Sequence, residues 1–278
     1  MKRKLSHSAI TTYLDCQRKW ELVYKYGLRQ DNVHFQFGSM AHKVLETRII
    51  PDEMLYPELK EFFGIKSWHN YFSNVLREID KFVEINNLEQ IGREVDVEDD
   101  NLVGCIDCVF KVKGTDEYVI GDYKFSTSVK GYDELLLDEQ MYIYAYLYAM
   151  ANHIDLTKIT TCYINIPKVE LNAPRELKNG TLSKDKSQNT TYDLYLAKIH
   201  ELGLNVNEYA DVLEALKDKP YIVFTKNKLN LDNLEKVFAN IENVIKDMQK
   251  GYVLEKNSYM CSRCEFYEYC KLGKEIKK

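Results

Sequence analysis

The sequence predicts an α/β fold built on one central sheet with helices around it. Three observations point there. The apolar period switches from helical to alternating near residue 93, three short alternating or β-branched runs follow in succession, and a helix and a further strand come after them. Helices, three strands, a helix and a strand make a compact layered arrangement around a single sheet.

Each element has its own local signal. Residues 6–26 open with a Ser cap and place Ile10, Tyr13, Leu14 and Leu22 at helical spacings, with Gly27 as the stop. Residues 39–49 carry an apolar stripe of Ala41, Val44, Leu45 and Ile49 before Pro51 ends the helix. An amphipathic helix is expected over 66–88. Residues 93–98, 102–113 and 118–125 read as three consecutive antiparallel strands, with Gly114 in the last turn. A helix over 133–152 and a strand over 159–166 follow. The polar stretch ELKNGTLSKDKSQNTT marks a surface loop or insertion, with short helices expected over 192–202 and 208–216 and a strand over 221–225. Leu234, Val237, Phe238, Ile241, Val244, Ile245 and Met248 share one face of a final helix, Leu231–Lys250. The reading is one domain over 1–278: a core at 38–166, an insertion or decoration at 167–230, and a module formed by 1–30 with 251–278.

Composition excludes several classes. With 45% hydrophobic and 29% charged residues the chain is globular rather than disordered, and no run is long enough to span a bilayer. The basic start lacks the apolar run of a signal peptide, so a cytoplasmic protein is expected. A net charge of −5 argues against a surface coated for DNA wrapping but leaves room for a local basic groove. Basic residues of the tail KLGKEIKK and around Lys184 and Lys186 read first as solvated surface.

The strand pair carries the chemistry. Side chains on a strand alternate, so Asp107 shares a face with Cys105 and Val109, and Asp122 shares one with Ile120 and Lys124. Pairing through the Gly114 turn brings two carboxylates and an ammonium together. Adjacent carboxylates repel and favour a hard dication such as Mg2+ or Mn2+, which activates water and polarises a phosphate. An isolated Asp-x-Lys is more often a surface ion pair. The added pieces are His42, a candidate nitrogen ligand on its helix, and Gln140 with Tyr144, which share a helix face at i and i+4.

Seven cysteines in a chain read as cytosolic do not suggest a disulfide framework. Cys261, Cys264 and Cys270 form C-x2-C-x5-C, and Cys16 is the candidate fourth ligand of one centre, either an iron–sulfur cluster or a structural Zn2+. Cys105 and Cys108 point to opposite strand faces and read, with Cys162, as small core residues.

Taken in order, Gly38 and His42, Gly104 and Asp107, Asp122, Tyr123 and Lys124, then Gln140 and Tyr144 resemble the PD-(D/E)XK nuclease superfamily, in its RecB-like branch. The cysteine arrangement is similar to that of iron–sulfur nucleases of the AddB type and of CRISPR-adaptation exonucleases. The resemblance implies a restriction-endonuclease-like central mixed sheet flanked by helices, with the N- and C-terminal segments joined at a four-Cys cluster. It also implies metal ligation by His42, Asp107, Asp122 and the Tyr123 carbonyl. Lys124 would be catalytic, Gln140 and Tyr144 would be the branch's site motif, and a 4Fe-4S cluster would sit on the four cysteines.

The expected function is Mg2+- or Mn2+-dependent hydrolysis of single-stranded DNA or duplex ends, exonuclease action being favoured. The setting would be recombination and repair, phage DNA processing or CRISPR adaptation. No Walker P-loop is present, so unwinding would need a helicase or another recombination or adaptation partner. Two rivals remain: a DNA-binding iron–sulfur subunit without catalysis, and a redox sensor.

Overall fold

The computed structural model of the protein describes residues 4–29, 32–250 and 261–271. The first helix is broken rather than continuous. It comprises α1 (His7–Asp15), α2 (Gln17–Trp20) and a π-helical turn, Glu21–Lys25. Cys16 takes an extended backbone between them; its N–H bonds Thr12 O to close α1, and its Sγ accepts the Lys19 N–H at 3.4 Å to open α2. Cys16 therefore lies at a helix junction and not within a helix.

Helix α3 (Val33–Thr47) begins earlier than its apolar stripe suggests. The Asn32 side chain accepts the His34 and Phe35 N–H groups at 2.9 and 3.0 Å and so caps it. The short α4 (Pro57–Phe63), which the sequence reading did not contain, has Pro57 in its first turn and Gly64 in the left-handed conformation at its end. Then come α5 (Trp68–Ile85), β1 (Leu88–Glu98), β2 (Val103–Val112) and β3 (Tyr118–Ser126). The expected helix over 133–152 divides at Asp138, which ends α6 (Tyr132–Leu137) and caps α7 (Glu139–Asn152). β4 (Ile159–Pro167), α8 (Tyr192–Glu201), α9 (Ala210–Lys217), β5 (Val223–Lys228), α10 (Leu231–Lys250) and α11 (Tyr267–Lys271) complete the described chain.

The sheet is mixed and runs β1-β2-β3-β4-β5. Only the β3–β4 pair is parallel, which requires the crossover that α6 and α7 supply. One apolar cluster joins α1, α7 and α10 to Ile106, Val109 and Ile120; a second joins α3, α4 and α5 to Phe110, Val119 and Ile164. The sheet is thus covered on both faces. Helices α8 and α9 form a separate small cluster around Tyr195 and Tyr209. Among the described residues, no helix is long and apolar enough to cross a membrane. Residues 272–278 of the basic tail lie outside the described residues.

Candidate metal centre

The site forms where β1, β2 and β3 stop pairing regularly. The pairs Arg93↔Cys108 and Val95↔Ile106 bracket Glu94 opposite Asp107. The β2–β3 ladder ends at Cys108↔Gly121, one residue before Asp107 and Asp122 would face each other. Three carboxylates consequently fall on one row across three neighbouring strands. Asp107 Oδ2 accepts the Tyr123 N–H at 2.6 Å in place of a ladder bond, which ties the two strands through the side chain.

Glu94 has φ 45°, a left-handed conformation uncommon for a residue with a side chain and costing of order 1–3 kcal/mol. A register shift between Gln90 and Gly92 precedes it. Gly92 belongs to this bend, because a Cβ there would meet Val95 Cγ2 at 2.5 Å. The bend directs the Glu94 carboxylate to His42, which α3 brings from another part of the chain. His42 Nδ1 lies 3.3 Å from Asp107 Oδ1 and 3.4 Å from Glu94 Oε1. The ligand atoms of His42, Glu94 and Asp107 all lie within 4.8 Å of one another. Cys105 donates its thiol to Glu94 Oε2 at 3.4 Å, whereas Cys108 is buried in the core.

Asp122 occupies the next position on the row and is 4% exposed. Its Oδ2 sits 2.7 Å from Lys124 Nζ, an ion pair whose angle gives that oxygen no well-formed hydrogen bond. Gln140 Nε2 donates to Asp122 Oδ1 at 3.3 Å and to the Tyr144 hydroxyl at 2.8 Å. The i, i+4 pair on α7 therefore reaches the carboxylate directly. Tyr144 also lies over Gly104, where a Cβ would meet its Cε1 at 2.5 Å.

Electrostatics mark this as a site of excess negative charge. Burial, then repulsion from Asp107, raises the Asp122 carboxyl to about 6 against the opposing pull of Lys124. Burial would lower the His42 imidazole, but Asp107 and Glu94 outweigh it and raise it to about 10. Burial likewise opposes charge on Lys124, and Asp122 overcomes it, so the ammonium is retained.

The donors fit a hard dication: carboxylate oxygens with one imidazole, and a buried Asp122 oxygen lacking an aligned donor. Sequence reasoning missed Glu94. It lay inside an expected strand, but the bulge hides its register against Asp107. Asp138 was missed as well; it caps α7 and accepts a hydrogen bond from the Tyr163 hydroxyl.

The second constellation lies at the chain ends. Cys16, Cys261, Cys264 and Cys270 line one small cavity together with Leu22 and Phe266, and none of the four is in a disulfide. Lys19 Nζ pairs with Glu265 at 2.9 Å across the same junction. Among the described residues, no three of these sulfurs lie within 4.8 Å of one another.

The family model described as the PD-(D/E)XK nuclease superfamily matches residues 4–271 of this chain. No curated protein matches it. Among solved structures, a provisionally assigned exonuclease from Eubacterium rectale is 11% identical, with coverage of 94% of this chain and 93% of the other, at a TM-score of 0.38. The structure of SSO0001 is also 11% identical, covering 87% of this chain and 98% of the other, at a TM-score of 0.28. Both overlays are too loose to carry an inference about this chain.

Proposed function

Since the chain belongs to the PD-(D/E)XK nuclease superfamily, whose members use divalent metals, we propose that it is a Mg2+- or Mn2+-dependent deoxyribonuclease of the RecB-like branch. We favour exonuclease action on single-stranded or end-accessible DNA. The observation that carries this reading is the row Glu94, Asp107 and Asp122 across three strands, with the His42 imidazole 3.3 Å from Asp107.

His42, Glu94, Asp107, Asp122 and the Tyr123 carbonyl would hold the dication. Bound there, it supplies Lewis-acid polarisation of a phosphate oxygen and an acidified water. The other residues position and neutralise. Lys124, kept protonated by Asp122, stabilises charge building on the phosphate; by analogy with lost oxyanion donors, its removal costs about 10²–10³ in rate. Gln140 donates to Asp122 and fixes the direction of that carboxylate, and Tyr144 holds Gln140.

The four thiols would hold a 4Fe-4S cluster. The four line one cavity, and a structural Zn2+ on the same thiolates is the alternative. In this reading residues 1–278 are one domain, with the cluster module formed by 1–30 and 251–278. A helicase or another recombination or adaptation protein supplies any unwinding.

The test uses anaerobically purified protein with Mg2+ or Mn2+ and end-labelled single-stranded, duplex and circular DNA. We expect metal-dependent loss of linear substrates, sparing of circles, and no cleavage by a folded Asp122→Ala variant. A fully active Asp122→Ala protein would defeat the site assignment, and a wild type that binds DNA without cutting it would favour a structural subunit.

A further inference from the structure

A groove of about 1130 Å3 runs between the N-terminal helices and α3, lined by Tyr24, Arg29, Phe35, Lys43 and Tyr56 among others. A second depression of about 500 Å3 holds His42 and Glu94 and shares Phe35, Ser39 and Lys43 with the first. The two depressions adjoin along Phe35, Ser39 and Lys43, and the second reaches His42 and Glu94. Phe35, Ser39 and His42 follow one another at i, i+4 and i+7 on a single face of α3. At 1.5 Å per residue, Phe35 stands about 10 Å along the axis from His42.

Phe35 has no part in the core. The core face of α3 buries Phe37, Met40, Ala41, Val44 and Leu45, while the Phe35 ring is 58% exposed. Tyr56 is 41% exposed on the same groove. Arg29 and Lys43 line it, Lys43 pairing with Glu46 at 2.7 Å, in a chain whose net charge is −5. Solvated aromatic faces beside cations suit a chain of planar π systems joined by phosphates. Bases inside a duplex have both faces covered by their neighbours, so successive stacking on Phe35 and Tyr56 favours an unpaired strand over a duplex.

We infer that this groove is the single-strand track of the protein: Phe35 stacks on an unpaired base next to the phosphate held at the metal centre, and Arg29 and Lys43 follow the backbone. The inference deepens the nuclease reading by naming single-stranded DNA as the substrate form, and it rests on that reading for the direction of travel.

Its test is binding, measured without added dication on the full, cluster-loaded chain. Fluorescein-labelled oligothymidylate and a hairpin duplex of equal length are titrated by anisotropy. The single strand should bind more tightly than the duplex. Phe35→Ala should weaken oligothymidylate binding about 5- to 150-fold, the effect of losing one stacked base. Phe35→Trp should restore binding. Arg29→Ala should lower the salt slope by about 0.7 per lost phosphate contact. Unchanged oligothymidylate affinity in Phe35→Ala, or preference for the duplex, overturns the inference. The two readings separate cleanly. A chain that binds through Phe35 but cuts nothing with Mg2+ or Mn2+ keeps the groove and sinks the catalytic reading. Metal-dependent cleavage with affinity indifferent to Phe35 does the reverse.

Discussion

Gly104 shows how a residue with no chemistry of its own controls the site. The Tyr144 ring occupies the space a Cβ would need, with Cε1 at 2.5 Å, and Tyr144 in turn holds Gln140 against Asp122. Gly104→Ala must push a buried aromatic ring aside, an overpacking change that typically costs about 1–3 kcal/mol. We expect it to lower both thermal stability and cleavage rate. Wild-type cleavage by a Gly104→Ala protein would mean that the ring relaxes without disturbing Gln140. Glu94 makes the complementary point. Its carboxylate enters the site only because its backbone sits at φ 45°, so position and conformation are inseparable there.

Whole elements are anchored by comparable devices. Helix α3 delivers His42, and it is braced by α5 through Phe37 packed against Trp68 and Tyr71. The start of α5 depends on Glu53, which accepts the Ser67 hydroxyl at 2.7 Å and the Trp68 and His69 N–H groups at 3.1 and 2.9 Å, and pairs with Lys60. Burial opposes the carboxylate, but these donors hold it down from 4.5 to about 2. A folded value below the unfolded one gives stability that is present above about 4.5 and lost as pH falls towards 2. Glu53→Gln should lower the melting temperature at pH 7, by analogy with a lost cap worth about 1 kcal/mol. It should also flatten the acid limb of the melting curve. Parallel wild-type and variant limbs between pH 5 and pH 2 (roughly the titration range) would show that Glu53 is not the group responsible.

At the scale of the molecule, the N-terminal segment is held at both of its ends. Leu5 bridges to Leu102, with Leu5 N–H to Asn101 O at 2.8 Å and Val103 N–H to Leu5 O at 3.0 Å. Further along, Cys16 and Lys19 meet the C-terminal cysteines and Glu265. Lys19, Glu265 and Phe266 of this closure form one wall of the groove beside α3. If the four thiols hold the proposed 4Fe-4S cluster, Cys264→Ala should remove its visible absorbance and lower the melting temperature together. Because the proposed dication ligands lie elsewhere, any protein that stays folded should retain some cleavage of linear DNA. Loss of colour with an unchanged melting temperature would show that the cysteines do not staple the fold.

Much of the site was readable in advance because its spacings are local. Period two puts Asp122 and Lys124 on one strand face, and the helical i, i+4 relation aligns Gln140 with Tyr144; both hold in the folded chain. The expected layering of helices around one sheet rests on the same short-range periods. Other features needed coordinates. Glu94 faces Asp107 only through a bulged register, the break at Cys16 is made by its backbone and thiol, and the exposure of Phe35 depends on what the remaining helices leave uncovered. A chain carries its periodicities in neighbouring residues, whereas registers across a bulge and faces left bare arise from contacts between segments far apart, which no local spacing encodes.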